Sequence, residues 1–235
     1  MRMFFQLAAV VALTGAMGGR AQIVSPDKLV APPPRAPEIR RHDVSDNDLQ
    51  WLWQFAQPVP TGKKFSLLAD ARFPALLRDA LKAPQAMWGV GVPLGDAART
   101  FLGGEGVVAS ADNRYLTVSG CVVDHCDQRG LLWVDLGQRE PLMVFAGLRW
   151  NEEGKIPGQA GAPFTLWLFP ARALDAHQLP DALKLALEAW VEGDGCKPYQ
   201  ISNAIVVDPS GVPHVIGSME AGVQPAICAR PTGTH

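Results

Sequence analysis

Three apolar stretches, residues 115–119, 130–135 and 141–148, are rich in Leu, Val and aromatic side chains and follow one another across short polar connections. That spacing leaves little freedom. A parallel return needs a crossover of about a dozen residues or more, so strands this close in sequence pair antiparallel. A further strand is expected at 164–169, and a last hairpin at 201–207 and 213–218 around Asp208, Pro209, Ser210 and Gly211, residues that favour turns. Helices are expected outside these runs. One covers about 51–56 and stops before Pro58. A second covers 73–82, with Pro74 at its first position and Leu76, Leu77, Ala80 and Leu81 on one side. A third covers 180–192, with Asp181 in its first turn and Gly193 after its last. Between Gly89 and Gly106 the glycines miss the spacing of a dinucleotide-binding turn and Pro93 interrupts them, so the segment reads as a loop. Strands in runs with helices set apart give an α+β fold.

The chain opens with Arg2 and an uncharged stretch from Phe4 to Gly19, ending in small residues before Gln22. This pattern predicts a signal peptide over 1–21, because the stretch falls short of the roughly 20 apolar residues that span a bilayer. Export to the periplasm or the medium follows as an expectation, without membrane insertion. Losing Arg2 and Arg20 leaves 19 basic against 23 acidic residues, a formal charge of -4. Nucleic-acid binding needs a basic face, so nucleic acid is not expected as a partner. Pro26, Pro32, Pro33, Pro34 and Pro37 make residues 22–43 an extended linker. Order should begin at Val44, which can staple onto Leu49, with Ser45 capping a helix whose first turn holds Asp46 and Asp48.

Cys121, Cys126, Cys196 and Cys228 remain after export, and an even count in an oxidising compartment predicts two disulfides. Three connectivities are open. Pairing Cys121 with Cys126 and Cys196 with Cys228 is favoured, since each pair then brackets a turn or excursion in its own half of the chain.

The sequence lacks the nucleophile-elbow, zinc-protease, phosphate-loop and EF-hand signatures. No cofactor or catalytic residue is assigned, and the chain is read as a non-enzyme. Chemistry concentrates instead in Cys121-Val122-Val123-Asp124-His125-Cys126, between two strands. A zinc site there would lack a fourth ligand and would strain adjacent His125 and Cys126, and a redox pair carries two intervening residues rather than four. No metal is therefore expected. The remaining reading is a hairpin tip cinched by a disulfide. A tip that only staples the sheet would use Gly, Asn or Pro, whereas this one displays two valines, an acid and an imidazole. A rigid tip of that kind loses little entropy on docking, which suits it to binding a partner through Val122, Val123, Asp124 and His125.

Residues 115–119, the cysteine loop, Gln128-Arg129, Leu131-Leu132-Trp133 and Val144-Phe145 together resemble the bacterial periplasmic inhibitors of vertebrate lysozyme. The match weakly includes the helix near 73–81, and spans about residues 73–148. In that family the loop reads Cys-Lys-Pro-His-Asp-Cys, is disulfide-closed, and enters the lysozyme cleft so that its His meets the catalytic carboxylates. Here Asp124 stands at the family's His position and His125 at its Asp position, and the Lys is absent. The resemblance implies an antiparallel sheet flanked by helices, a protruding loop, a lysozyme-type glycoside hydrolase as partner and, as family members often form, a homodimer. The expected organisation is a signal peptide (1–21), linker (22–43), inhibitor-like core (44–150) and a C-terminal extension (151–235) packed on the same domain. Alternatives are a cell-envelope hydrolase or carbohydrate-binding protein, and an envelope protein whose loop is only structural.

Overall fold

The strand-forming stretches assemble into one seven-stranded sheet in simple sequential order, β1 to β7. The computed structural model describes residues 49–56, 63–85, 87–89, 91–150, 162–192 and 199–223. The expected signal peptide, linker, Ser45 cap and Cys196–Cys228 pairing lie outside these residues. The strands are β1 (Val108–Ala111), β2 (Tyr115–Val122), β3 (His125–Asp135), β4 (Leu142–Trp150), β5 (Ala162–Pro170), β6 (Tyr199–Val207) and β7 (Pro213–Ile216). The helices are α1 (Trp53–Ala56, preceded by a 3-10 turn), α2 (Lys63–Ala69), α3 (Arg72–Ala80), α4 (Leu94–Phe101) and α5 (Asp181–Glu192). The result is an α+β arrangement.

The sheet is mixed rather than antiparallel throughout. Strands β1 to β5 pair antiparallel, as do β6 and β7, but β5 and β6 run parallel. The reason is α5, which lies between β5 and β6 in sequence and supplies the crossover that a parallel pair requires. The expected antiparallel sheet is corrected accordingly.

Alternation along each strand divides the core in two. Leu116, Val118, Leu132, Val134, Phe145 and Phe169 form one apolar cluster with Leu52, Phe73, Leu77, Leu94 and Phe101 from the N-terminal helices. Leu131, Trp133, Val144, Leu166 and Val206 form the other, with Leu183, Leu187 and Trp190 of α5. Strands of this kind, apolar toward both clusters, read in sequence as near-continuous hydrophobic runs.

The segment between Gly89 and Gly106, read as a loop, contains helix α4. Pro93 precedes its first residue and Asp96 occupies its first turn. Leu94, Ala97, Ala98 and Phe101 recur at helical spacing and are buried. This is the i, i+3, i+4, i+7 pattern of an amphipathic helix, masked in the sequence by the surrounding glycines.

The β1–β2 turn places both Asp112 and Asn113 at positive φ, 54° and 49°, a primed turn that suits the twist of a hairpin. Beside it, Arg114 donates from Nε and Nη2 to the two carboxylate oxygens of buried Asp135 at 2.8 and 2.9 Å. Gly137 N–H and Gln138 Nε2 donate to the same carboxylate. Burial pushes the Asp135 carboxyl up, but these hydrogen bonds outweigh it and hold the group below its ordinary value. A depressed carboxyl stabilises the fold above its unfolded-state pKa of about 3.9, and that stabilisation is lost as pH falls through the folded value. Replacing Asp135 by Ala should cost about 2 kcal/mol, the scale of charge-assisted hydrogen bonds. Denaturant titrations at neutral pH should show that loss, with the gap between wild type and Asp135→Ala narrowing in acid.

Candidate functional site

The loop singled out by its cysteines is the end of the β2–β3 hairpin. Val122 pairs with His125, leaving Val123 and Asp124 as a two-residue turn. Asp124 takes a positive φ of 63°, which Asp tolerates because its short polar side chain suits the left-handed region.

The disulfide joins Cys121 to Cys126, with Cα atoms 4.8 Å apart. It also explains a break in the ladder. Extending the tip's register by one residue sets Cys121 opposite Cys126, whereas the main ladder opposes Cys121 with Arg129. Residues Cys126, Asp127 and Gln128 therefore form the bulge on β3, and Cys126 reaches back to Cys121 of β2 through the disulfide. The disulfide fixes the tip in its own register across this bulge, where an unlinked hairpin could slip.

The four tip residues do not share one environment. Val123, Asp124 and His125 are exposed, with Val123 at 59 %. Val122 is half-buried against the first core cluster. Cys121 is buried at the base, while Cys126 is exposed. Thus the solvent-facing group is an aliphatic side chain followed by a carboxylate and an imidazole.

A supporting element was not legible as such in the sequence. The turn following α4 lies along the base of the hairpin, where Gly104 N donates to Cys121 O at 2.6 Å. A Cβ on Gly104 would stand 2.7 Å from Cys121 Sγ, and one on Gly120 would stand 2.5 Å from Leu102 O. Only glycine permits this backbone approach. Gly103 sits beside the Val123 side chain. On the far side of the hairpin base, the Arg129 guanidinium lies 5.7 Å from the Trp190 ring centroid, within cation–π range. Gln128-Arg129, part of the sequence resemblance, thus belongs to the bulge and its anchorage to α5.

The alternative of a catalytic cleft can be compared with the groove beside α1 and α2. It measures about 650 Å³ and is lined by Gln54, Phe55, Ser66, Ala69, Asp70 and Arg72. Its one carboxylate, Asp70, accepts from Arg72 Nε at 3.0 Å and Nη2 at 2.7 Å. These hydrogen bonds lower the Asp70 carboxyl to about 2. Glycoside hydrolysis requires two carboxyl groups, one of them able to donate a proton. This groove offers neither. Among the described residues, no group of three or more His, Cys, Asp or Glu side chains is placed to hold a metal ion. None of the described helices is long and apolar enough to cross a membrane.

Two substitutions test the construction of the tip. Gly104→Ala should destabilise by about 1–3 kcal/mol, the cost of forcing atoms into a packed site. The Cys121→Ser, Cys126→Ser double variant should lose about 2 kcal/mol, since the closed loop is short. Chemical denaturation measures both, and an unchanged midpoint for Gly104→Ala would mean that the α4 turn does not bear on the hairpin. Comparison with family models, curated proteins and solved structures finds no match for this chain.

Proposed function

We propose that the protein is an exported inhibitor of lysozyme-type glycoside hydrolases, acting as a non-enzymatic binding protein of the periplasm or the medium. The observation that carries this reading is the exposed Val123-Asp124-His125 turn closed by Cys121–Cys126. In this reading the hairpin protrudes beyond a sheet flanked by helices, and its tip enters the hydrolase cleft. Val123 fills apolar space at the entrance, while Val122, which turns toward the protein's own core, supports the tip from behind. His125 donates an N–H to a catalytic carboxylate, more strongly when charged. Asp124 opposes that attraction by like charge. Preorganisation supplies the affinity: a tip held by a disulfide and a packed base gives up little entropy on docking.

The test is inhibition of a panel of lysozymes by the purified mature protein. His125→Ala should weaken inhibition by about 1.5–3 kcal/mol, the range for hydrogen bonds to charged groups. Asp124→Asn should inhibit as well as wild type or better. Melting temperatures serve as the folding control. Failure of folded wild type to inhibit any lysozyme, or full inhibition by His125→Ala, would return the loop to a purely structural role.

A further inference from the structure

The two ends of the sheet are guarded unequally. At one end, β7 begins with Pro213, which has no N–H to offer. The antiparallel bonds alternate, and Asp208 N donates to Val212 O, so position 213 is one of those facing away from β6. The edge therefore lacks a donor where an added strand would need one.

The other end, β1, has no such protection. Ser119 N donates to Val107 O, so by the same alternation the N–H and C=O of Val108 and Ser110 face away from β2. Ala109, Ser110 and Ala111 are exposed, and Val107 is 62 % exposed. From Gly106 to Ala111 the chain carries no charge and no proline. Among the described residues nothing pairs with this side of β1, which is the terminal strand of the sheet. Natural sheets usually blunt such an edge with Lys, Pro or a bulge, because an open row of donors and acceptors templates another strand.

Charge indicates which strand. Glu105 and Asp112, both exposed, bracket the uncharged edge. In a two-fold antiparallel pairing of two β1 edges, the Glu105 end of one copy would meet the Asp112 end of the other, setting acid against acid. Like charges across strands are destabilising, so self-pairing is disfavoured. We propose that the β1 edge is a docking site for an extended segment of another polypeptide, uncharged in its centre and flanked by Lys or Arg. Main-chain hydrogen bonds to Val108 and Ser110 hold the segment, and the basic flanks meet Glu105 and Asp112. The Glu105 end of this edge adjoins the turn that braces the hairpin tip, but the proposal does not depend on lysozyme binding.

The probe is a blocked eight-residue peptide of alternating Val and Thr with Lys at each end, compared with the same peptide ending in Glu. Fluorescence anisotropy measures binding to the full-length mature protein. The Lys-ended peptide should bind, at least tenfold more tightly than the Glu-ended one. Ser110→Pro removes an outward N–H without touching the β2 ladder, and should weaken binding at least tenfold. The exposed double variant Glu105→Gln, Asp112→Asn leaves the main chain unchanged, so it should still bind both peptides but lose the preference. It keeps the test decisive if Ser110→Pro fails to fold. No binding of the Lys-ended peptide at about 1 mM, equal binding by folded Ser110→Pro, or a retained preference in the double variant would overturn the proposal. So would a dimer in sedimentation that Ser110→Pro dissolves, since the edge would then belong to a second copy.

Discussion

The contact between the turn after α4 and the start of the hairpin's outer half is the constraint on which the candidate site depends. Leu102 O approaches Gly120, and Gly104 N–H reaches Cys121 O, at separations that leave no room for a Cβ. Through this contact the helical layer reaches the strand that carries the disulfide. Phe101, one turn earlier, is buried in the same cluster as Leu116, Val118 and Leu132 of the two hairpin strands. The hairpin is therefore braced from one face by α4 and from the other by α5, through Trp190 and Arg129. Main-chain packing fixes the tip more rigidly than side chains alone would, because backbones have fewer ways to give.

Rigidity of this kind has different consequences at the two ends of the hairpin. At the open end, beside Arg114, the buried Asp135 carboxylate is held by hydrogen bonds, and the register there is the regular one. Toward the tip the register shifts, and a covalent link between Cys121 and Cys126 spans the shift. Beyond it, Val123 and Asp124 form the turn, and His125 begins β3 opposite Val122 in the tip's own register. Bulges of this sort commonly re-aim side chains for binding, which gives the break a role in the proposed inhibition.

Much of this is legible in the sequence. Apolar runs rich in Leu, Val and aromatic residues indicate β2 to β5, turn residues between apolar runs indicate the β6–β7 hairpin, and Pro74 with the Leu76 and Leu77 stripe indicates α3. What failed did so for identifiable reasons. The helix α4 was hidden because Gly95 and Pro93 are loop-forming residues in isolation, although Leu94, Ala97, Ala98 and Phe101 keep helical spacing. The short strand β1 is made of small residues with weak strand preference, and its pairing with β2 decides it. The parallel β5–β6 pair could have been inferred from the helix expected between the two strands. At the tip, the cysteine spacing indicated a closed hairpin, but nothing in the sequence showed that Val122 turns toward the core or that a glycine turn braces the base. Those facts depend on contacts between segments distant in sequence.

The central claim is that the braced tip, rather than any other surface, meets a lysozyme. Hydrogen–deuterium exchange of the purified protein, alone and with an excess of lysozyme, tests it most directly. Lysozyme should slow exchange at the amides of Val122, Val123, Asp124, His125 and Cys126. It should leave β5, β6 and β7 unchanged. Protection confined to those distant strands, or unaltered exchange throughout, would contradict the account.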